Sequence, residues 1–150
     1  MMSKKPRIPH VDVVAGAIWD GDPFASASRL LIAQRKLEDM LGGLWELPGG
    51  KVEPGETFEA ALHRELLEEL AIEVEIIEPF MAIKHTYTHF RVTLHVFHCR
   101  HTRGEPQSID VADWTWARPN ELEAYAFPTA DRKILSTLKT LTAERAESAK

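Results

Sequence analysis

Cysteine is almost absent from this sequence. Cys99 is the only one, so no disulfide can form within the chain and packing alone must hold the fold. Cys99 falls in a strand-like stretch, where a small buried hydrophobe is expected rather than a nucleophile. No apolar run approaches the roughly 18 residues of a membrane helix. The segment MMSKKPRIP at residues 1–9 is short and basic and lacks the hydrophobic stretch of a secretory leader. These features predict a reduced, cytoplasmic setting away from membranes. Basic charge is in short supply too: 18 Lys and Arg face 23 Asp and Glu, for a net charge of −5, with no conspicuous basic stripe. Tight binding of a polyanion such as duplex DNA by electrostatics alone is therefore disfavoured. Internal repeats, low-complexity tracts and interdomain linkers are missing as well. At 150 residues and 44% hydrophobic, the chain fits one domain that buries roughly 70% of its unfolded surface. We expect a flexible segment over 1–9, the domain over 10–142 and a fraying tail over 143–150.

What is present alternates between strand and helix signals. Val11–Trp19 (VDVVAGAIW) is nearly continuous in small and β-branched residues, as in a strand covered on both faces. Asp20-Gly21-Asp22-Pro23 breaks it, and Leu30–Ala33 gives a second strand leading into Gln34-Arg35-Lys36. After the Gly42-Gly43 loop, Trp45–Leu47 reads as a short extended segment entering Pro48-Gly49-Gly50, whose paired glycines permit close backbone approach. Glu73–Ile77 alternates, and Met81–Arg100 supplies strand material with a break near His89-Phe90. Trp114–Trp116 reads as a strand, Pro119–Leu122 as a helix entry and Ala130–Leu141 as a C-terminal helix. Interleaved strands and helices in one unit predict the α/β class.

Gly50–Ile72 (GKVEPGETFEAALHRELLEELAI) carries the strongest chemical signal. Pro54-Gly55 forms a loop, Thr57 a helix N-cap, and Glu56 and Glu59 sit near the positive end of the helix dipole. Leu62, Leu66 and Leu70 make an apolar stripe for packing on a sheet. At about 100° per residue, Glu65, Glu68 and Glu69 cluster beside that stripe rather than opposite it. Glu65 and Glu69 are like charges at i,i+4, as are Glu69 and Glu73. Each such pair costs roughly 0.2–0.5 kcal/mol, with only Arg64 to Glu68 as an opposite-sign offset. A hard divalent cation reverses the sign. Mg²⁺ or Mn²⁺ takes oxygen ligands and keeps waters and substrate phosphates in its shell, which suits acids at a cleft edge. A small phosphorylated ligand held through metal is compatible with the negative net charge.

The spacing Gly50, five residues, Glu56, seven residues, then Arg64-Glu65-Leu66-Leu67-Glu68-Glu69-Leu70-Ala71-Ile72 resembles the Nudix box of the Nudix hydrolases. The departure is Ala71, where the family carries Gly. A left-handed residue there would bear a strain of roughly 1 kcal/mol as Ala, or else the helix ends differently. The resemblance runs from about Val11 to Leu138. Leu44–Lys51 (LWELPGGK) further resembles MutT-type nucleoside triphosphate pyrophosphohydrolases and the C-terminal domain of MutY adenine DNA glycosylases. It implies an α/β/α sandwich on a mixed sheet, and metal binding by the Gly50 carbonyl and the carboxylates of Glu65, Glu68 and Glu69. It also implies a brace between Arg64 and Glu56, and Lys51 beside the phosphates. Arg35 is either a second phosphate contact or a surface arginine, and Asp110 or Asp113 is either an assisting acid or a turn former. The implied reaction is Mg²⁺- or Mn²⁺-dependent conversion of a (d)NTP to (d)NMP and pyrophosphate, with cleansing of oxidised nucleotides such as 8-oxo-dGTP as one role.

Base recognition is read from two segments. Phe127–Asp131 resembles the stretch opening the last helix of MutT-like enzymes, where an Asn commonly reads a purine. Asp131 here only accepts hydrogen bonds when ionised, or it is an ordinary helix-entry acid. HTYTHF at 85–90 resembles the MutY segment that contacts 8-oxoguanine and makes Tyr87, Thr88 and His89 candidates. The shared odd parity of His85, His89 and His95 invites a zinc reading, which we set aside because no Cys pair or helical His-x-x-x-His accompanies it. The rival function is a non-catalytic 8-oxoguanine recognition module. The intact box acids favour catalysis, within which an RNA 5′ pyrophosphohydrolase or a nucleotide-sugar hydrolase remains open.

Overall fold

The computed structural model describes residues 8–148. Most of the expected flexible segment 1–9, together with the last two residues of the expected tail, lies outside the described residues. Seven strands form one mixed sheet: β1 (His10–Trp19), β2 (Leu30–Gln34), β3 (Trp45–Glu46), β4 (Gly49–Lys51), β5 (Glu73–Thr86), β6 (Arg91–Arg103) and β7 (Asp113–Ala117). The main path runs β3-β2-β1-β6-β5, with β4 pairing β1 and β7 pairing β2. β1 and β6 are parallel along their full ten-residue register, and every other pair is antiparallel.

β1 lies in the middle of the sheet, and its near-continuous apolar sequence follows from coverage on both sides. Val14 and Ile18 join a core with α1 (Phe58–Leu70), whereas Ala15, Ala17 and Trp19 join a second core with α2 (Arg132–Ser148). Leu62, Leu66 and Leu70 of α1 are fully buried in the first core. Ile134 and Leu138 of α2 fill the second, helped by the 3-10 helix Pro119–Ala124. The result is an α/β/α sandwich, as the resemblance implied. Cys99 is fully buried in β6, and burial pushes its thiol up to about 12, which leaves it inert as a nucleophile.

Several boundaries differ from the sequence reading. Glu73–Ile77 and Met81 onward belong to one strand, because β5 absorbs Pro79 at register irregularities between Ile76 and Glu78 and between Pro79 and Met81, where a missing N–H is tolerated. Gly49–Lys51, marked in the sequence only by glycines that permit close backbone approach, pairs with β1 as a short strand. The C-terminal helix starts at Arg132 after a 3-10 turn over Thr129–Asp131, and it continues through Ser148 instead of fraying from 143. Arg145 near its end donates from Nη1 to the Pro23 carbonyl at 2.6 Å, an anchor 122 residues distant that no local pattern reveals.

α1 begins as expected. Thr57 is extended, and its Oγ1 accepts from the Ala60 N–H at 3.1 Å. The helix ends on Ala71 in the left-handed region (φ 57°, ψ 36°), with the Ala71 and Ile72 N–H groups donating to the Leu67 and Leu66 carbonyls. Ala71 thus bears the strain that a glycine would avoid. Ala71→Gly is expected to raise unfolding stability by about 0.5–1 kcal/mol in urea denaturation, the relieved backbone strain exceeding the extra entropy of an unfolded glycine. A less stable variant would show that the position is unstrained.

Candidate active site

The helix α1 and the strand β4 are brought together by a clamp on Arg64. Its Nε and Nη2 donate to Glu56 Oε2 and Oε1 at 2.7 and 2.9 Å, and Nη2 also donates to the Lys51 carbonyl at 2.9 Å. Glu56 Oε1 accepts in addition from the Glu53 N–H at 2.8 Å. The Arg64 bond, with that backbone donor second, holds the Glu56 carboxyl at about 2, so Glu56 stays ionised in the brace. The brace fixes the loop 52–57 to the helix. Arg64 Nη1 continues to Glu65 Oε1 at 2.9 Å and to Glu68 Oε2 at 3.1 Å.

The acids divide by environment. Glu68 is largely exposed, Glu65 is mostly covered, and Glu69 lies deeper in the cleft. Burial first, then the nearby Glu46, Glu65 and Asp110 charges, push Glu69 up to about 9. Burial also raises Glu65, against the pull of Arg64. Glu69 Oε2 is buried with no hydrogen-bond partner among the described residues. An orphaned buried carboxylate oxygen beside two more acids is costly without a cation. Gly50 is packed so closely on the Glu65 carboxylate that an added Cβ would collide with it, which puts the Gly50 backbone at the acid cluster. The donor set is all oxygen, as Mg²⁺ and Mn²⁺ prefer. Among the described residues no three acidic, His or Cys side chains already converge on a metal position. Arg64 instead occupies Glu65 and Glu68, so binding calls for rotation of those side chains.

A cleft of about 770 Å³ opens from the acid cluster across the sheet, within the range of small-molecule sites. Glu65, Glu69, Gly50 and Lys51 form one end. Arg35 lines the cleft and donates from Nη1 to Glu46 Oε2 at 3.0 Å and from Nε to the Met40 carbonyl at 2.7 Å. Asp131 lines the cleft as well, delivered by the 3-10 turn before α2, and burial pushes it up to about 6 against the opposing charges of Arg35 and His85.

Of the hairpin candidates, Tyr87 lines the cleft, while Thr88 and His89 lie at the exposed hairpin tip outside it. His85 and Phe90 line the cleft as well, the rings of His85 and Tyr87 and of Tyr87 and Phe90 lying 4.4 and 4.8 Å apart. The shared parity of His85 and His95 does not survive the turn between them. His95 lies on the α1 side, its ring 4.0 Å from that of Phe58 and its Nε2 2.9 Å from Asp12 Oδ1. Asp110 approaches the acid cluster through its backbone, its N–H donating to the Glu69 carbonyl at 3.2 Å. Asp113 starts β7, and its Oδ1 accepts from the Trp114 N–H at 2.8 Å. Glu46 was missed from sequence. It lies between Arg35 and Asp131, and burial pushes its carboxyl up despite the Arg35 charge. Its place beside Trp45 in a two-residue strand gave no periodic signal.

Comparison with known proteins follows the same lines. A model of the NUDIX domain matches residues 24–137. The 8-oxo-dGTP diphosphatase of Buchnera aphidicola is 38% identical over 96 residues, covering 64% of this chain and 77% of that protein. The CTP pyrophosphohydrolase of Escherichia coli is 35% identical over 135 residues, covering 90% and 96%. The solution structure of the E. coli ORF135 protein superposes with a TM-score of 0.76 at 33% identity, covering 92% of this chain and 94% of that one. No helix among the described residues is long and apolar enough to cross a membrane.

Proposed function

Because the chain belongs to the NUDIX domain family, whose members generally use a divalent metal, we propose that it is a Mg²⁺- or Mn²⁺-dependent nucleoside triphosphate pyrophosphohydrolase of MutT type. Its reaction converts a (d)NTP to (d)NMP and pyrophosphate. The observation that carries this reading is the partnerless Glu69 oxygen buried beside Glu65 and Gly50. Glu65, Glu68, Glu69 and the Gly50 carbonyl would hold the metal, which when bound neutralises phosphate charge and lowers the pKa of coordinated water.

The chain's own groups supply the rest. Lys51 and Arg35 place positive charge along the cleft where the phosphates lie, opposing the charge that accumulates during displacement at phosphorus. Arg64 and Glu56 keep the loop before α1 in register with the acids. As water adds to phosphorus, its proton passes to a carboxylate and the electrons of the broken P–O bond between the α- and β-phosphates leave with the departing nucleoside monophosphate or pyrophosphate. Asp110, whose backbone N–H is bonded to the Glu69 carbonyl and whose charge acts on the Glu69 carboxyl, is better placed as that carboxylate than Asp113 at the start of β7. Tyr87 and Phe90 offer ring faces to a base, and Asp131 with Glu46 offers acceptors to its N–H groups. An acceptor-only floor suits bases with exocyclic amines, the class to which both cytosine and oxidised guanine belong. The relatives named for CTP and for 8-oxo-dGTP support that pairing, and pool cleansing in a reduced cytoplasm fits a single buried thiol. The intact acids and the relatives' hydrolase names favour this reading over a non-catalytic recognition module.

The test is a panel of NTPs, dNTPs, 8-oxo-dGTP, triphosphorylated and capped RNA and nucleotide sugars, assayed with Mg²⁺. The expected result is turnover of a free (d)NTP to monophosphate and pyrophosphate. Preference for RNA ends or nucleotide sugars, or release of orthophosphate alone, would contradict it.

A further inference from the structure

Two loops meet near the acid-bearing helix: one lines the cleft through Arg35, Met40 and Leu41, and the other lies outside the lining but is bonded to the Glu69 and Leu70 carbonyls. One spans residues 35–44 between β2 and β3, and the other spans 104–112 between β6 and β7. Among the described residues a single side-chain bond joins them: Lys36 Nζ donates to Asp110 Oδ1 at 2.6 Å, between residues 74 apart in sequence. Neither end of this bond hangs on a free segment. The N–H groups of Ile109 and Asp110 both donate to the Glu69 carbonyl, and the N–H groups of Gln107 and Ala112 donate to the Leu70 and Gln34 carbonyls. Asp110 is thereby fastened by its backbone to the residue that carries the orphaned oxygen, and its charge acts on that carboxyl. Lys36 follows Arg35 at the root of its loop, which the Arg35–Gly43 and Arg35–Leu44 backbone bonds close. Met40 and Leu41 of the same loop line the cleft while staying well exposed to solvent.

The backbone fixes where Asp110 is, but not where its carboxylate points. That carboxylate is more than half exposed and has no other side-chain partner among the described residues. An exposed ion pair adds little to folding stability, so the effect of this one lies in direction and in tying the two loops together. We infer that Lys36 is a positioning residue for hydrolysis: it aims the Asp110 carboxylate at the acid cluster and holds the Met40–Leu41 wall against that edge. This rests on the pyrophosphohydrolase reading, in which Asp110 is the carboxylate that receives the water's proton as the P–O bond between the α- and β-phosphates breaks. Lys36 touches neither water nor phosphate in this role and acts through Asp110.

The experiment measures kcat and KM separately, with Mg²⁺ and the best nucleotide of the panel, for Lys36→Met, Lys36→Arg, Asp110→Asn and the Lys36→Met/Asp110→Asn double variant. Misaiming one group costs kcat rather than binding, so Lys36→Met is expected to lower kcat about tenfold with KM changed less than about twofold. Lys36→Arg, which keeps a donor of the same charge, should recover most of that loss. Asp110→Asn should cost at least as much, and adding Lys36→Met to it should change kcat by less than about twofold. Thermal midpoints of all four are expected near that of the unaltered protein. A Lys36→Met variant as active as the parent, or losses that multiply in the double variant, would overturn the inference. Failure of the parent protein to form monophosphate and pyrophosphate would instead overturn the reading beneath it, so the two failures are distinct.

Discussion

Exchange of Glu69 for glutamine is expected to lower kcat by about a thousandfold while leaving the metal-free fold at least as stable as before. The two halves of this expectation have one cause. Glu69 is pushed up to about 9 by burial and by Glu46, Glu65 and Asp110, and its Oε2 has no partner among the described residues. A carboxyl whose folded value is raised favours folding fully below its unfolded value near 4.5. That contribution is lost as pH rises toward 9. At pH 8 the metal-free protein therefore carries a penalty at this position that an uncharged amide removes. Divalent metal reverses the situation, because the cation favours the ionised form. Thermal denaturation at pH 8 should show the Glu69→Gln midpoint at or above the parent's without metal, and a metal-induced rise in the parent that the variant lacks. Equal loss of turnover and stability would assign Glu69 a structural role. Glu68→Gln provides a contrast: its side chain is 59% exposed and, among the described residues, bonded only to Arg64, so turnover should fall with no change in metal-free stability.

The second large effect is on base choice. Asp131→Asn should shift the ratio of kcat/KM between amine-bearing bases and uracil or thymine by about a hundredfold, toward acceptance of the latter. An ionised carboxylate accepts from the guanine N1–H and N2–H edge or from a cytosine amine. It has no donor for the carbonyl that uracil presents instead, whereas an amide offers both. The proton on Asp131 makes a second version of the test. Burial sets it at about 6, with Arg35 and His85 opposing, and Glu46 and Tyr87 stand nearby. Below that pH the protonated side chain gains a donor, so the parent's discrimination should shrink between pH 7 and 5 while that of Asp131→Asn stays flat. A ratio that neither the substitution nor the pH moves would make Asp131 a helix-entry acid only.

The acid end of the cleft was legible in the sequence because it is local. Glu56, Arg64, Glu65, Glu68 and Glu69 sit within one loop and one helix, and helical spacing alone places the last three beside the Leu62–Leu66–Leu70 stripe. The sandwich was legible for a similar reason, since a doubly covered strand such as β1 shows itself as an unbroken apolar run. The rest of the cleft was not. Glu46 reaches Arg35 across a β2–β3 pairing, and His85 and Phe90 face the cleft only because of how β5 and β6 join. A tight turn resets side-chain parity, which is why His95 faces α1 while His85 does not, and why the cleft takes Tyr87 but leaves Thr88 and His89 outside. The length of α2 was misjudged because its final turns are polar, and a distant contact such as Arg145 to Pro23 has no periodic signature.

The central claim is that the acids of α1 hold divalent metal against the diphosphate of a nucleotide. The most direct measurement is a crystal structure with Mn²⁺ and a nucleotide analogue that resists hydrolysis, read by the anomalous scattering of the metal. The account predicts metal peaks between the carboxylates of Glu65, Glu68 and Glu69 and the phosphate oxygens, with Arg64 withdrawn from Glu65 and Glu68 and the base beside Tyr87 and Asp131. Metal and phosphates bound elsewhere, with Arg64 still paired to Glu65 and Glu68, would contradict it.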